Sequence, residues 1–113
     1  MTRDQVLGVL ACHIGADRGV HIDALVREIS GELLPDPAAE RRVRQLISEL
    51  RHEGVAICAH PSSGYYVAAS AVELERSCQF LRARAMHSLV LESRLRKISL
   101  GELLGQLRIV EKG

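Results

Sequence analysis

The chain has 113 residues, of which 47% are hydrophobic and 26% charged, and its net charge is +1. This balance is typical of one soluble globular domain; it argues against disorder and carries no overall basic signature of a nucleic-acid-binding protein. With one Phe, two Tyr and no Trp, the core must consist mainly of aliphatic side chains, which favours helices packed on a small sheet.

The cysteines and the apolar segments indicate the cellular compartment of the protein. Cys12, Cys58 and Cys78 are odd in number and widely spaced, and the chain does not start with a signal sequence. We therefore expect reduced thiols and a cytoplasmic protein. Because no apolar run reaches the roughly 18 residues that span a bilayer, we expect no membrane insertion.

The first predicted helix starts after Thr2, a good N-cap residue, and stops at Gly15. Its apolar positions recur with the helical period of about 3.6 residues. They are Val6, Leu7, Leu10 and Ile14.

Residues 19–22 are predicted to form a short extended segment. Asp23 is then expected to cap a second helix, with Leu25, Val26 and Ile29 on one face, which ends near Gly31. A helix this short fits the first half of a helix-turn-helix pair.

A third helix is predicted from Asp36 and Pro37, since Asp supplies a cap oxygen and Pro suits the first helical position. Its apolar stripe is Val43, Leu46, Ile47 and Leu50. The opposite face carries Arg41, Gln45, Ser48 and His52, with Arg42, Arg44 and Arg51 beside it. These side chains suit base edges and phosphates, although a solvated helix face has the same composition.

A hairpin is predicted directly after this helix. Gly54 closes the helix in the left-handed conformation, and residues 55–58 form a strand. A turn over residues 60–64 leads to a return strand over residues 65–68, in which Tyr65 and Tyr66 point to opposite faces. His60, Ser62 and Ser63 are the expected contacts of this wing.

The segment resembles a family of small winged-helix proteins, many of them encoded by phages and prophages. The resemblance covers residues 43–85 and rests on three groups of residues. They are Val43, Arg44, Leu46, Ile47, Leu50, Arg51, Gly54, Ile57 and Cys58, then Gly64-Tyr65-Tyr66, and then Glu73-Leu74-Glu75 with Leu81-Arg82-Ala83-Arg84-Ala85. Similar winged helices in biotin-repressor-type and other transcription regulators bind duplex DNA, so the resemblance implies DNA binding for this chain.

A long fourth helix is predicted after Ser70, which forms a capping box with Glu73, because residues 71–98 contain neither Pro nor Gly. Its apolar residues approximate a heptad seam, interrupted by Ser88 and Glu92. The seam residues are Leu74, Cys78, Leu81, Ala85, Leu89 and Leu95.

We expect this helix and the terminal leucine-rich segment to form a homodimer, or to dock another protein. The segment comprises Leu100, Leu103, Leu104, Leu107 and Ile109. The alternative is that both fold back on the first helix. A two-fold pair of recognition helices would read a nearly palindromic site with half-sites about 34 Å apart.

Other chemistry finds little support in the sequence. Cys58 with His60, and Cys12 with His13, lack zinc-site spacing, so buried structural thiols are the better interpretation and no metal is expected. The chain has no nucleotide-binding loop, nucleophile elbow or metalloprotease motif. We therefore expect neither an enzyme nor a cofactor.

The predicted fold is mainly α with a small antiparallel β-wing: a winged helix-turn-helix over residues 1–69 and a helical extension over residues 70–113. The predicted function is sequence-specific binding of double-stranded DNA, as a transcription regulator or phage-type replication accessory. The alternative is a winged-helix module that contacts another protein. A continuous positive surface over Arg41, Arg44, Arg51 and the wing would favour DNA, and cancellation by Glu40, Glu49 and Glu53 would favour protein.

Overall fold

A computed structural model describes residues 1–34 and 36–112, with side chains up to residue 108. It is mainly helical, with one small antiparallel sheet and one long helix, and this much of the predicted fold class is confirmed. No helix in the described part of the chain has the length and apolarity to cross a membrane. The elements are α1 Arg3–Leu10, α2 Ile22–Ser30, α3 Pro37–His52, β1 Ile57–His60, β2 Gly64–Val67, α4 Ala71–Arg96 and α5 Leu100–Lys112.

The chain divides into a first compact unit, Met1–Ser77, and a second that begins at Cys78. In the first unit α1, α2 and α3 pack around one aliphatic core. The predicted stripe of α3 is confirmed, because all four of its residues are buried. The core comprises Val6, Leu10, Val20, Leu25, Val26, Val43, Leu46, Ile47, Leu50 and Ile57.

Helix α1 is shorter than predicted. Thr2 caps it as expected, and the Gln5 side chain returns the hydrogen bond. The helix ends at Leu10, however, and the chain turns, so that Ile14 leaves the helical stripe and is 49% exposed. Ile14 instead forms a bridge with Val67 of β2. Assigning Ile14 to the α1 core was therefore wrong.

Helix α2 begins two residues earlier than predicted. His21, not Asp23, occupies the N-cap, and Asp23 lies in the first turn, where a negative charge suits the helix dipole. The helix begins there because Val20 is held extended by two backbone hydrogen bonds with Tyr65, of 2.8 and 2.7 Å. Gly31 ends α2 in the left-handed conformation, as predicted.

Both ends of α3 follow the predicted capping chemistry. The Asp36 side chain accepts the Ala38 amide hydrogen at 3.0 Å, and Pro37 is the first helical residue. At the other end Gly54 has φ +95°. The Val55 amide donates to the Leu50 carbonyl at 3.0 Å, so Val55 still belongs to the helix closure. This is why β1 starts at Ile57 and not at the predicted residue 55.

The hairpin pairs Ile57 with Val67 and His60 with Gly64. As predicted, the two tyrosines lie on opposite faces, Tyr66 buried and Tyr65 half-buried against the helical core. The second edge of β2 is also paired, because the bridge from Val20 to Tyr65 gives the sheet a third, one-residue strand.

The loop after α1 is held by the imidazole of His13. Its Nδ1 lies 2.8 Å from the Arg18 carbonyl oxygen and its Nε2 lies 2.8 Å from a Glu28 carboxylate oxygen. The Glu28 hydrogen bond, followed by the Arg18 carbonyl, raises the pKa of His13 above its ordinary 6.5, against the opposing effect of burial. His13 therefore joins this loop to α2 most firmly when it is protonated.

Glu73, in the first turn of α4, ties that helix to the same loop. Its carboxylate accepts the amide hydrogens of Ala16 at 3.0 Å and of Ala69 at 2.8 Å. Ser70 caps α4 as predicted, since its hydroxyl accepts the Glu73 amide hydrogen. The reciprocal half of the predicted capping box was wrong, because the Glu73 carboxylate is engaged by Ala16 and Ala69.

The Ala16 amide, then that of Ala69, lower the pKa of Glu73 below its ordinary value of 4.5. A carboxyl whose folded-state pKa is depressed stabilises the fold above its unfolded-state pKa, and this contribution is lost as pH falls through the folded-state pKa. We expect Glu73→Gln to lower stability at pH 7 and to flatten the loss of stability below about pH 4.5. Urea unfolding at pH 7 and pH 3.5 measures both, with the exposed Glu102→Gln as control. Parallel pH profiles for wild type and Glu73→Gln would contradict this role.

The second unit consists of the rest of α4 and of α5. The uninterrupted long helix is confirmed: α4 runs 26 residues and ends where Lys97 adopts φ +57°. The Ser99 hydroxyl accepts the Glu102 amide hydrogen at 3.0 Å and so starts α5. Leu103 is buried, Leu100 and Leu104 are half-buried and Leu107 is exposed, whereas the side chain of Ile109 lies outside the described residues.

Candidate nucleic-acid interface

The outer face of α3 presents four polar side chains. Because successive residues are rotated by about 100°, positions 41, 45, 48 and 52 lie opposite the buried stripe. All four are exposed. Arg41, Gln45, Ser48 and His52 therefore share one accessible face, as the sequence predicts.

The two flanks of this face differ in charge. Arg44 and Arg51 lie on one flank, and Glu49 and Glu53 lie on the other with Arg42. Glu53 is ion-paired with Arg3 of α1, which partly neutralises it. Glu49 and Glu53 therefore lie away from Arg44, whereas Glu40, four residues before Arg44, lies on the same flank.

Arg41 and Arg44 are exposed, and neither forms an ion pair within the part of the chain that the structure describes. Their neighbour Arg42 donates a hydrogen bond to the Gln45 side chain at 3.2 Å. Glu40, at the start of the helix, is half-buried and lines a small cleft with Val26 and Asp36. Arg41 and Arg44 are the guanidinium groups of α3 best placed to meet an anion.

Arg51 makes structural contacts that were not predicted from the sequence. Its Nε donates to the Ile57 carbonyl at 2.8 Å, and its guanidinium lies 5.9 Å from the ring centroid of Tyr65. Such a contact is a cation–π interaction. Arg51 is thus half-buried and fastens the end of α3 to both strands of the hairpin.

The wing is short and uncharged. His60 and Ser62 are exposed and bonded to each other, since His60 Nδ1 accepts the Ser62 amide hydrogen at 3.2 Å and lies 2.7 Å from the Ser62 hydroxyl. Ser63 is half-buried. The wing can therefore offer hydrogen bonds to a nucleic acid, and Arg51 is its link to α3.

The structure adds one basic residue that sequence reasoning missed. Arg18 is exposed, and its neighbour Gly19 packs directly on the wing, because a Cβ on Gly19 would lie 2.0 Å from the Ser63 carbonyl oxygen. The extended segment over residues 19–22 was a sequence-based prediction. Its strand partner was not, so nothing in the sequence placed Arg18 beside the wing.

No protein-family model, curated protein or solved structure matches the chain. In the described residues, no three His, Cys, Asp or Glu side chains cluster so that they could hold a metal ion. The prediction of buried thiols is confirmed for Cys58 and wrong for Cys12 and Cys78, which are exposed. The candidate nucleic-acid interface is therefore defined by the geometry of α3, the wing and Arg18 alone.

The predicted dimer residues form an accessible stripe on α4. Leu74, Cys78, Leu81, Ala85 and Leu95 are all exposed, and Leu89 is half-buried. Ser88, a predicted interruption of the heptad seam, is exposed on the same stripe. The stripe is therefore available to a partner.

Proposed function

We propose that the protein binds double-stranded DNA through the outer face of α3, as a transcription regulator or a phage-type replication accessory. The observation that carries the proposal is the pair of exposed arginines, Arg41 and Arg44, without ion-pair partners among the described residues. They stand beside Gln45 and Ser48. Arginine holds phosphates or reads guanine, and glutamine can read adenine, so one face combines affinity with specificity.

The arrangement around α3 supports the proposal. Helix, one-residue strand, two helices and a hairpin follow one another in the order that a winged helix requires, and Arg51 fixes the end of α3 to the hairpin. In the proposed complex, α3 enters the major groove. His60, Ser62 and Ser63 contact the adjacent backbone, and Arg18 adds a positive charge beside them.

A homodimer joined through α4 is part of the proposal. It brings two α3 helices to one DNA duplex and makes roughly four to seven phosphate contacts in total. Each contact releases counterions, so the logarithm of the affinity falls with the logarithm of the salt concentration by about 0.9 per contact.

The test is a fluorescence-anisotropy titration of the whole chain against a random-sequence duplex, at 50 mM and 200 mM salt, with molecular mass measured in the same buffers. We expect binding at 50 mM salt by a dimer, with an affinity loss of about 10²- to 10⁴-fold at 200 mM, as roughly four to seven phosphate contacts would give. A matched single strand serves as the control for duplex preference. Absence of binding at 50 mM salt would overturn the proposal.

A second function, docking on another protein, is favoured by a separate observation. Leu33 and Leu34, in the connection between α2 and α3, are 84% and 80% exposed. The first unit also holds eight basic and eleven acidic residues. Two adjacent exposed leucines in an acidic surface suit a basic, apolar partner. The test is a double variant, Leu33→Ser with Leu34→Ser. Docking on another protein is favoured if the wild type does not bind DNA but captures a partner protein that the double variant does not capture.

A further inference from the structure

A series of six residues on α4, within the second unit, has a regular spacing, and all of them are exposed except Glu92, which is half-buried. Steps of three and four residues connect its members, which is the spacing of a coiled-coil seam. Leu81 is 48% exposed and Leu95 is 77% exposed, large values for leucine side chains in the middle and at the end of a helix. We call this set the α4 seam: Cys78, Leu81, Ala85, Ser88, Glu92 and Leu95.

The second unit has little core of its own. Of its described residues, Leu103 and Ser93 are the buried ones. Folding costs conformational entropy, which a helical pair with so little buried apolar surface does not offset. A further apolar surface is needed, and a second copy of the same seam supplies one.

The order of residues along the seam discriminates between the two orientations of a second copy. In a parallel pair each residue meets its own copy, which places Glu92 opposite Glu92 and two like charges in the seam. In an antiparallel pair centred between positions 86 and 87, the six residues form three pairs across the interface. Cys78 meets Leu95, Leu81 meets Glu92, and Ala85 meets Ser88.

The antiparallel pairing also gives favourable side-chain packing and a favourable contact between charges. The large Leu95 packs over the small Cys78, as close packing requires. Glu92, which is ion-paired with Arg96 of its own helix at 2.7 Å, comes beside Arg82 of the other copy. The like-charge contact of a parallel pair is replaced by an attraction between opposite charges.

We propose that two copies of the chain pair antiparallel through the α4 seam, with the two-fold axis between positions 86 and 87. The inference rests on the dimer of the proposed function and gives it an orientation. The first units then join the coiled coil at opposite ends.

Disulfide crosslinking tests the orientation, in a Cys12→Ser background that leaves Cys78 as the exposed thiol, since Cys58 is buried. Positions 78 and 95 are 17 residues apart, or about 25 Å along a helix, so each residue is far from its own copy in an antiparallel pair. Three proteins are oxidised mildly. They carry Cys78 alone, Leu95→Cys with Cys78→Ser, and Leu95→Cys with Cys78 retained.

We expect a disulfide-linked dimer from the third protein alone, reverting to a single chain on reduction. Linked dimers from all three would establish a parallel pair and overturn the proposal. No crosslink in any of them would also overturn it, whether light scattering gives the mass of a monomer or of a dimer.

Because Leu95→Cys removes apolar area and so weakens the α4 seam, exchanging the charges of Arg82 and Glu92 provides a second measurement. Arg82→Glu should raise the dimer dissociation constant about tenfold, and adding Glu92→Arg should restore it. Failure of the double variant to recover would contradict the Arg82–Glu92 contact. Both experiments are made without DNA, so their failure is distinct from failure of the DNA-binding proposal.

Discussion

Gly64→Ala is expected to destabilise the protein by roughly 3 kcal/mol or more, a large share of the 5–15 kcal/mol typical of a domain. Gly64 is buried at the start of β2 with φ +76°. A Cβ there would lie 2.5 Å from the carbonyl carbon and oxygen of Val20 and 2.7 Å from the His21 amide nitrogen. The new methyl group would meet backbone that is itself fixed by pairing with Tyr65, so relief requires the third strand to move.

Gly31→Ala is the matched control. Gly31 has the same φ of +76°, but no atom lies within 4 Å of its added Cβ. It reports the conformational cost alone, about 1–2 kcal/mol. The midpoints of urea unfolding compare the two variants. A Gly64→Ala midpoint equal to that of Gly31→Ala would contradict the close approach of the wing to Val20.

Local signals in the sequence were sufficient for the helices. Asp36 and Pro37 start α3, Gly31 and Gly54 end their helices, and the α3 stripe is buried, because capping and helical periodicity depend on neighbouring residues. The same signals predicted a single long α4.

Contacts between distant residues could not be predicted in this way. Asp23 is a good cap residue, but the bridge between Val20 and Tyr65 fixes where α2 begins. Ile14 fits a helical stripe, but its pairing with Val67 removes it. Arg51 has the composition of a phosphate contact, and only the fold places it on Ile57 and Tyr65. Each outcome depends on the hairpin of β1 and β2, which follows later in the chain.

The candidate site likewise has features that the sequence predicts and features that it does not predict. The face of Arg41, Gln45, Ser48 and His52 follows from helical spacing alone, and the structure exposes all four. The charge of its flanks does not follow, since Glu53 is paired with Arg3, a residue 50 positions away. Arg18 joins the candidate interface through the packing of Gly19 on Ser63, which no local pattern encodes.

Replacing Arg41 and Arg44 together with Ala is expected to weaken binding to duplex DNA at 50 mM salt by about 30-fold or more for each protomer, since each arginine contact with DNA is worth about 1–3 kcal/mol. Both side chains are exposed and make no ion pair in the described residues, so the unfolding midpoint should stay unchanged. Gln45→Ala, by contrast, should change sequence preference more than affinity.

The matched control removes the same charge elsewhere. Arg27 is ion-paired with Asp23 on α2 and Arg108 is exposed on α5, so Arg27→Ala with Arg108→Ala lowers the net charge equally without touching α3 or the α4 seam. Any general electrostatic attraction of DNA falls by a similar amount in both double variants. Their difference therefore isolates the contribution of the α3 face.

Anisotropy titration of these two double variants and the wild type, against one duplex over a series of salt concentrations, tests the proposed DNA-binding face most directly. For the α3 variant we predict the affinity loss given above and a salt slope that is shallower by about two for each protomer. The control pair should stay within about threefold of the wild type. Equal losses in the two double variants, or no loss in either, would contradict DNA recognition by α3.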